Sequence, residues 1–279
     1  MTTNCLETAS VGPAANDNDV PQTPVGVSVV VPMFNERECV GALLKRLDEV
    51  TIEMANVYDF EFVLVDDGST DGTVEELQTA LAGRAGYRIV RHESNQGIGA
   101  AIQTGLRESR HEIVASMDSD GSYDPALIAE LAPLLRPGVD LVTASPYHAE
   151  GHVENVPDWR LAISRMASRL YGIACGERLS CYTSCFRIYR RETTAPIEVE
   201  NSGFVGVAEL LCRVLENGGV VVEHPAVLRG RVAGHSKMRV VRASLGHFYL
   251  MGQIVARRML RRSTVVLHTS SDEKQELSY

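Results

Sequence analysis

Phe60-Glu61-Phe62-Val63-Leu64-Val65-Asp66-Asp67-Gly68-Ser69-Thr70-Asp71-Gly72 decides the fold. Five of its first six residues are apolar, and the run then stops on two aspartates and a glycine. It reads as a strand leaving a core through a polar turn. From Asp71 to Ala82 the spacing turns helical, with Asp71 positioned as a cap. The same strand–turn–helix unit recurs on both sides. Upstream, Val27 to Val31 is a β-branched run stopped by Pro32, and Glu36 to Val50 carries Val40, Leu43, Leu44 and Leu47 on one helical face. Downstream, strands at Tyr87–Arg91, Glu112–Met117 and Asp140–Ala144 alternate with helices at Gly97–Ser109 and Asp124–Leu135, the latter capped by Asp124 with Pro125 behind it. This rhythm predicts an α/β fold: a Rossmann-like, mostly parallel sheet flanked by helices.

Ligands of such sheets sit beyond the C-terminal strand ends. Three polar motifs fall there: Pro32-Met33-Phe34-Asn35-Glu36, Asp66-Asp67-Gly68-Ser69 and Asp118-Ser119-Asp120-Gly121. Asp118 and Asp120, at alternate positions past a buried strand, form a hard-oxygen site for Mg²⁺ or Mn²⁺ shared with substrate phosphates. A polar turn with capping aspartates is the plain alternative for this pair alone. Asp67 is placed to accept hydrogen bonds from a nucleobase. Asn95-Gln96-Gly97-Ile98-Gly99-Ala100-Ala101 is a glycine-rich helix start whose N–H groups can face a phosphate. It does not extend to GxGxxG, because Ile102 follows, and no Walker lysine motif is present. A dinucleotide dehydrogenase and a P-loop NTPase are thereby disfavoured.

The 279 residues suit one large or two small domains, and the net charge of -9 argues against general nucleic-acid binding. The six cysteines form no CxxC pair and lack histidines at zinc spacing, so they read as packed, reduced thiols of a reducing compartment. Residues 1–25 read as a disordered leader, 26–236 as the catalytic domain, 237–262 as a basic amphipathic helix and 263–279 as a disordered tail. No signal peptide or membrane span is visible, which predicts a cytoplasmic protein that is peripheral on a membrane at most. Lys237 to Arg262 holds seven Lys/Arg and no acid, with Leu245, Phe248, Tyr249, Met251, Ile254 and Val255 at helical spacing. That pattern suits an anionic membrane surface. A core helix with basic residues near its end is the alternative.

Val29-Val30-Val31-Pro32-Met33-Phe34-Asn35-Glu36, Val65 to Gly72, Asn95-Gln96-Gly97 and Met117 to Gly121 together resemble the family 2 glycosyltransferases of the GT-A fold. In the second half, Trp159-Arg160 with Ile163-Ser164-Arg165, Thr183 to Arg191, and Arg231-Val232-Ala233-Gly234-His235-Ser236-Lys237-Met238 are similar to the polyprenyl-phosphate branch. That branch moves a hexose from GDP-mannose or UDP-glucose to a lipid phosphate. The resemblance implies that Pro32, Asn35, Glu36, Asn95, Gly97, Asp118 and Ser119 line the pocket of a nucleotide-diphosphate sugar, and that Asp67 meets the base. Asp118, Asp120 and Ser122 would hold the metal, and Arg165, Arg231, Ser236 and Lys237 would face donor or acceptor phosphates. Two positions depart from the pattern. Ser122 stands where the family often has glutamine. Ala144-Ser145-Pro146 stands where Gly-Ser-Arg often supplies an acceptor-binding arginine. Two acceptors therefore stay open, polyprenyl phosphate or the hydroxyl of a soluble saccharide.

The expected mechanism is one in-line displacement with inversion. A phosphate acceptor is already anionic and needs no base, whereas a hydroxyl needs one worth roughly 10²–10⁴-fold. Glu209 is the candidate base, with an ion pair to Arg213 four residues on as the structural alternative. The arginines at 160, 165, 169, 187, 190, 191, 229 and 231 supply forks suited to phosphate. Gly234, between Arg231 and Lys237, predicts a tight loop that is mobile without substrate.

Overall fold

Strand β1 (Val25–Met33) is an interior strand of the sheet, and every residue from Val27 to Met33 is buried. The structure, a computed structural model, describes residues 23–231 and 244–260. Residues 1–22 of the expected leader, the expected tail, the Gly234 loop, Ser236 and Lys237 lie outside those residues, and β1 begins at Val25, inside the stretch expected as leader. β2 (Tyr58–Asp66), β3 (Tyr87–Arg91), β4 (Ile113–Ser116), β5 (Leu141–Ser145), β7 (Arg187–Arg190) and β8 (Val221–Pro225) complete a seven-stranded sheet in the order β3-β2-β1-β4-β7-β5-β8. All pairings are parallel except those of β7, which runs antiparallel to both neighbours. A separate parallel pair joins β6 (His152–Glu154) to β9 (Val227–Arg229).

Strand periodicity divides the core between the two faces. Val27, Val29, Val31 and Met33 pack under α1 (Val40–Glu53), α2 (Thr73–Ala80) and α4 (Ile128–Leu131). Val30, Val63 and Val65 face α3 (Ile98–Glu108), α5 (Asp158–Cys175), α7 (Phe204–Glu216) and α8, the helical stretch 244–260. A short helix α6 (Arg191–Thr194) follows β7.

Two expectations are corrected. The predicted helix Asp124–Leu135 is three short pieces, a 3₁₀ turn on each side of α4, because Pro133 cannot continue an α-helical hydrogen-bond ladder. Asp124 does cap the first piece, accepting from Ala126 N at 2.9 Å. Pro32 does not stop β1 either. Pairing with β2 continues to Met33↔Asp66, while pairing with β4 ends at Val30↔Ser116. Val30 O accepts from Met117 N on the β4 side and Met33 O accepts from Asp67 N on the β2 side. By strand alternation the N–H that Pro32 lacks would point at β4. The sheet therefore parts between β1 and β4, where the chain order reverses and α/β sheets bind ligands.

α8 packs by Leu250, Met251 and Ile254, and His247 Nδ1 meets Tyr171 Oη of α5 at 2.7 Å. Its basic residues turn inward: Arg257 pairs with Glu216 at 3.0 Å, and Arg258 donates to the carbonyls of Ile173 and Ala174. Its outer face carries exposed Leu245, Phe248, Tyr249, Val255, Met259 and Leu260. Among the described residues no helix is long and apolar enough to cross a membrane.

Candidate active site

Asp118 and Asp120 emerge where β1 and β4 part. Asp120 Oδ1 accepts from Ser122 N at 2.9 Å, and Asp120 Oδ2 is 2.9 Å from Arg231 Nε. Arg231 Nη1 lies 4.0 Å from Glu36 Oε1, and Cys39 Sγ donates to Glu36 Oε2 at 3.1 Å. Burial and the neighbouring Asp120 carboxylate push the Asp118 carboxyl up to about 7, against the opposing pull of Arg231. Among the described residues, no three His, Cys, Asp or Glu side chains are grouped as a metal cage. Two converging carboxylates, with a guanidinium already seated on one of them, do fit a Mg²⁺ or Mn²⁺ that takes its remaining ligands from water and phosphate. Ser122 is held beside them through its own backbone.

One cleft of about 640 Å³ opens on the β1 side of this pair. Pro32, Phe34, Glu36, Asp67, Ser119 and the Asn95-Gln96-Gly97 turn line it, facing Asn201-Ser202-Gly203. Gly97 has φ 103°, and a Cβ there would stand 2.6 Å from Ser202 O, so only glycine lets the two walls touch. Asp67 is at the site but is differently engaged than expected. Its carboxylate accepts from Gln96 N at 2.9 Å and Gly97 N at 2.7 Å, and its Oδ1 lies 2.7 Å from His92 Nδ1. The anion at the start of α3 is thus the protein's own aspartate rather than a ligand phosphate. His92, itself bonded to Thr104 Oγ1 at 2.9 Å, was not singled out from the sequence; its position just past β3 is the signal. Asn35, at φ 52°, does not line the cleft. It ties two motifs together, its Oδ1 accepting from Thr70 N at 2.7 Å and its N donating to Ser69 Oγ at 2.8 Å. Asp71, expected as the cap of the next helix, stands one residue before the N-cap Gly72; it accepts from Thr73 N at 3.0 Å and from Arg37 N at 3.2 Å, tying the start of α2 to the Glu36 turn.

A second cleft of about 360 Å³ opens on the other side. Its wall is largely apolar and aromatic, with Tyr123, Tyr147, Trp159, Leu161, Ile163 and Leu228, and Pro146 lies in it. Arg160 reaches in with its guanidinium 5.2 Å from the Trp159 ring centroid, and its buried Nε has no hydrogen-bond partner among the described residues. Arg229 is paired with Glu154 at 3.3 Å. Arg165 stacks over Tyr147 at 5.1 Å outside the lining. Asp118, Asp120, Phe204 and Arg231 line both clefts, so the two meet at the carboxylate pair.

Other candidates are not brought to the site. Glu209 is fully buried. Its Oε2 accepts from Glu200 N (3.1 Å), Asn201 N (2.9 Å) and Asn201 Nδ2 (2.8 Å), and its Oε1 from Arg213 Nε (3.2 Å) and Nη2 (3.1 Å). It therefore pins the turn that walls the larger cleft. Arg187 is completely buried and donates to the carbonyls of Val207 and Tyr182. Arg190 donates to those of Leu135, Arg136 and Val139. Both are structural, because a buried guanidinium takes whatever acceptors surround it.

The pattern of glycosyl transferase family 2 matches residues 28–195, which takes in every strand-end motif described above. The chain belongs to glycosyl transferase family 2. It is 32% identical over 220 residues to the polyprenol monophosphomannose synthase of Mycolicibacterium smegmatis, covering 75% of this chain and 80% of that one. It is 30% identical over 217 residues to the dolichol-phosphate mannosyltransferase of Pyrococcus furiosus, covering 76% of this chain and 59% of that one. The enzyme thus sits with the polyprenyl-phosphate branch of its family. In three dimensions it matches the glucosyl-3-phosphoglycerate synthase of Mycobacterium tuberculosis, crystallised with Mn²⁺ and UDP, at TM-score 0.60 and 20% identity over 84% of this chain and 80% of that chain. The GT-A fold follows from that likeness.

Proposed function

We propose that this glycosyltransferase moves a hexose from a nucleoside-diphosphate sugar in the larger cleft to the phosphate of a polyprenyl phosphate in the smaller one. The observation that carries this reading is the meeting of a polar, backbone-lined cleft and an apolar, aromatic one at Asp118, Asp120 and Arg231. When bound, Mg²⁺ or Mn²⁺ would neutralise charge developing on the departing diphosphate. Asp118 and Asp120 would hold that ion, and the Asn95–Gly97 and Asn201–Gly203 walls would fix the nucleotide. Arg160 meets the acceptor phosphate, taking the part that an arginine at position 146 would otherwise play. Asp118 and Asp120 are the only carboxylates among the described residues lining the smaller cleft. No further carboxylate stands there to act as a base, and His247, the one imidazole in the lining, is engaged through Nδ1 by Tyr171 Oη at 2.7 Å; this suits an acceptor oxygen that is already anionic and attacks in line with inversion. Relatives named for mannosyl transfer favour GDP-mannose over UDP-glucose.

A lipid acceptor brings the reaction to a bilayer. α8 packs against α5 through His247 and Arg258, and both helices expose apolar side chains, Trp159, Met166 and Ile173 on α5 and Phe248, Tyr249 and Leu260 among those on α8, while α5 also exposes Arg165 and Arg169. Both helices also line the acceptor cleft, through Trp159, Ile163, Ser244 and His247. This combination fits an anionic bilayer and a peripheral enzyme on its cytoplasmic face. All five described cysteines are free, as a reducing compartment requires. The test is turnover of GDP-mannose and UDP-glucose with Mn²⁺, against polyprenyl phosphate in vesicles and against soluble saccharides, with the product anomer read by NMR. Lipid-linked product of inverted configuration is expected. Transfer only to soluble saccharides, or retention, refutes the reading.

A further inference from the structure

Arg231 is held in place by the strand that precedes it. Arg229 N donates to Ser122 O at 2.9 Å and Gly230 N to Glu154 O at 2.8 Å, which deliver the next residue onto Asp120. Its Nε then lies 2.9 Å from Asp120 Oδ2, while Ser122 N occupies Oδ1 at 2.9 Å. The Arg231 side chain is 30% exposed and that of Asp120 5%, and Glu36 Oε1 lies 4.0 Å from Arg231 Nη1. Arg231 thus places its positive charge against a buried carboxylate cluster that also contains Asp118.

We infer that Arg231 is the resident counter-ion of the Asp118/Asp120 pair, and that a divalent metal must displace it before it can engage a diphosphate. This rests on the metal reading above. Two cations cannot share one carboxylate edge without repulsion at such short range. Metal binding in the absence of nucleotide is therefore opposed by the ion pair that must be broken. A diphosphate removes that opposition, because its oxygens give the displaced guanidinium a new, bidentate partner. Metal and diphosphate then bind cooperatively through Arg231, beyond their direct contact with each other, and the coupling is reciprocal. The ion pair acts as a latch: metal alone is held off, and metal with diphosphate is admitted. Arg231 holds the metal's place on Asp120 in one state and is a diphosphate ligand in the other.

The test is Mn²⁺ binding to the full chain, read by electron paramagnetic resonance of free Mn²⁺, with and without GDP or UDP. Arg231→Ala should bind Mn²⁺ about 10-fold more tightly than wild type when no nucleotide is present. The same variant should bind GDP or UDP at least about 10-fold more weakly at saturating Mn²⁺. These opposite signs are what a merely folded or merely damaged protein does not produce. Arg231→Lys, keeping the charge, should stay near wild type in the nucleotide-free experiment. Unchanged or weaker Mn²⁺ binding by Arg231→Ala without nucleotide overturns the displacement. Unchanged nucleotide binding overturns the transfer of the guanidinium to the diphosphate. Failure of both proteins to bind Mn²⁺ under any condition refutes the metal reading itself, and this inference with it.

Discussion

Replacing Glu209 by glutamine separates a catalytic from an architectural role for this carboxylate. Five hydrogen bonds converge on it, three from the Glu200–Asn201 turn to Oε2 and two from Arg213 to Oε1. An amide offers one acceptor oxygen and one NH₂ group. Whichever way it turns, its NH₂ faces either the three turn donors or the guanidinium, so one set of buried donors loses its partner. Arg213 keeps Glu200 at 2.8 Å and Glu216 at 3.9 Å, which softens the loss. The cost is about 2–4 kcal/mol, below the usual penalty for breaking a fully buried pair. At roughly 2–4 °C per kcal/mol for a chain of this size, Glu209→Gln should lower Tm by about 5–15 °C. Measured well below that Tm, kcat should stay within a few-fold of wild type, and the donor KM should rise as the Asn201–Gly203 wall loosens. The assay pairs a calorimetric melt with steady-state kinetics at 15–20 °C, inside the expected stable range (~10 °C or more below Tm). An unchanged Tm with kcat down by 10²–10⁴-fold would identify a general base and refute the architectural reasoning.

Asp118→Asn should reduce turnover by about 1,000-fold while Tm is unchanged or higher, since it removes one of two adjacent buried carboxylates; near-wild-type rates would make the motif a mere turn. Arg160→Ala should raise KM for polyprenyl phosphate about 10–100-fold and leave the donor KM alone, and a change in the donor KM only would contradict its assignment. For Glu61, burial raises the carboxyl, but Ser28, the Arg110 N–H, and the Arg88 and Arg110 charges outweigh it, so the folded value lies below the ordinary one. Its contribution is present above the unfolded value and lost as pH falls through the lowered folded value. The stability gap between wild type and Glu61→Gln should therefore be largest above about pH 5 and close in more acidic melts. Phe248→Glu with Tyr249→Glu should abolish flotation with anionic vesicles without changing Tm by more than about 2 °C; retained flotation would remove α8 from the membrane contact.

The sequence was legible wherever local pattern and global placement agreed. Val27–Val31, Phe60–Val65 and the Asp118–Asp120 turn declare both their secondary structure and their place at the strand ends, because burial and strand period are written residue by residue; the two further residues of β1, Pro32 and Met33, are added by pairing with β2. What stayed hidden depended on long-range partners. Asp67 was identified as a site residue, but its bonds to Gln96 and Gly97 arise from a turn 29 and 30 residues away. Arg187 reads as a phosphate fork until β7 inserts antiparallel between β4 and β5 and leaves it among carbonyls. Arg160 was visible as a cation beside Trp159, but only the lining of the smaller cleft distinguishes it from Arg165 and Arg169.

Pro32 gives the active site a form of insurance. Clefts opened by side-chain packing can close when a neighbouring residue is trimmed or enlarged, because packing is a collective property. The gap between β1 and β4 depends instead on a proton that proline does not possess. Core residues such as Val29 or Ala115 can drift among similar volumes without resealing it. Replacing Pro32 by valine would restore the missing donor, invite the two strands to zip one step further, and crowd the two aspartates from below without touching either of them.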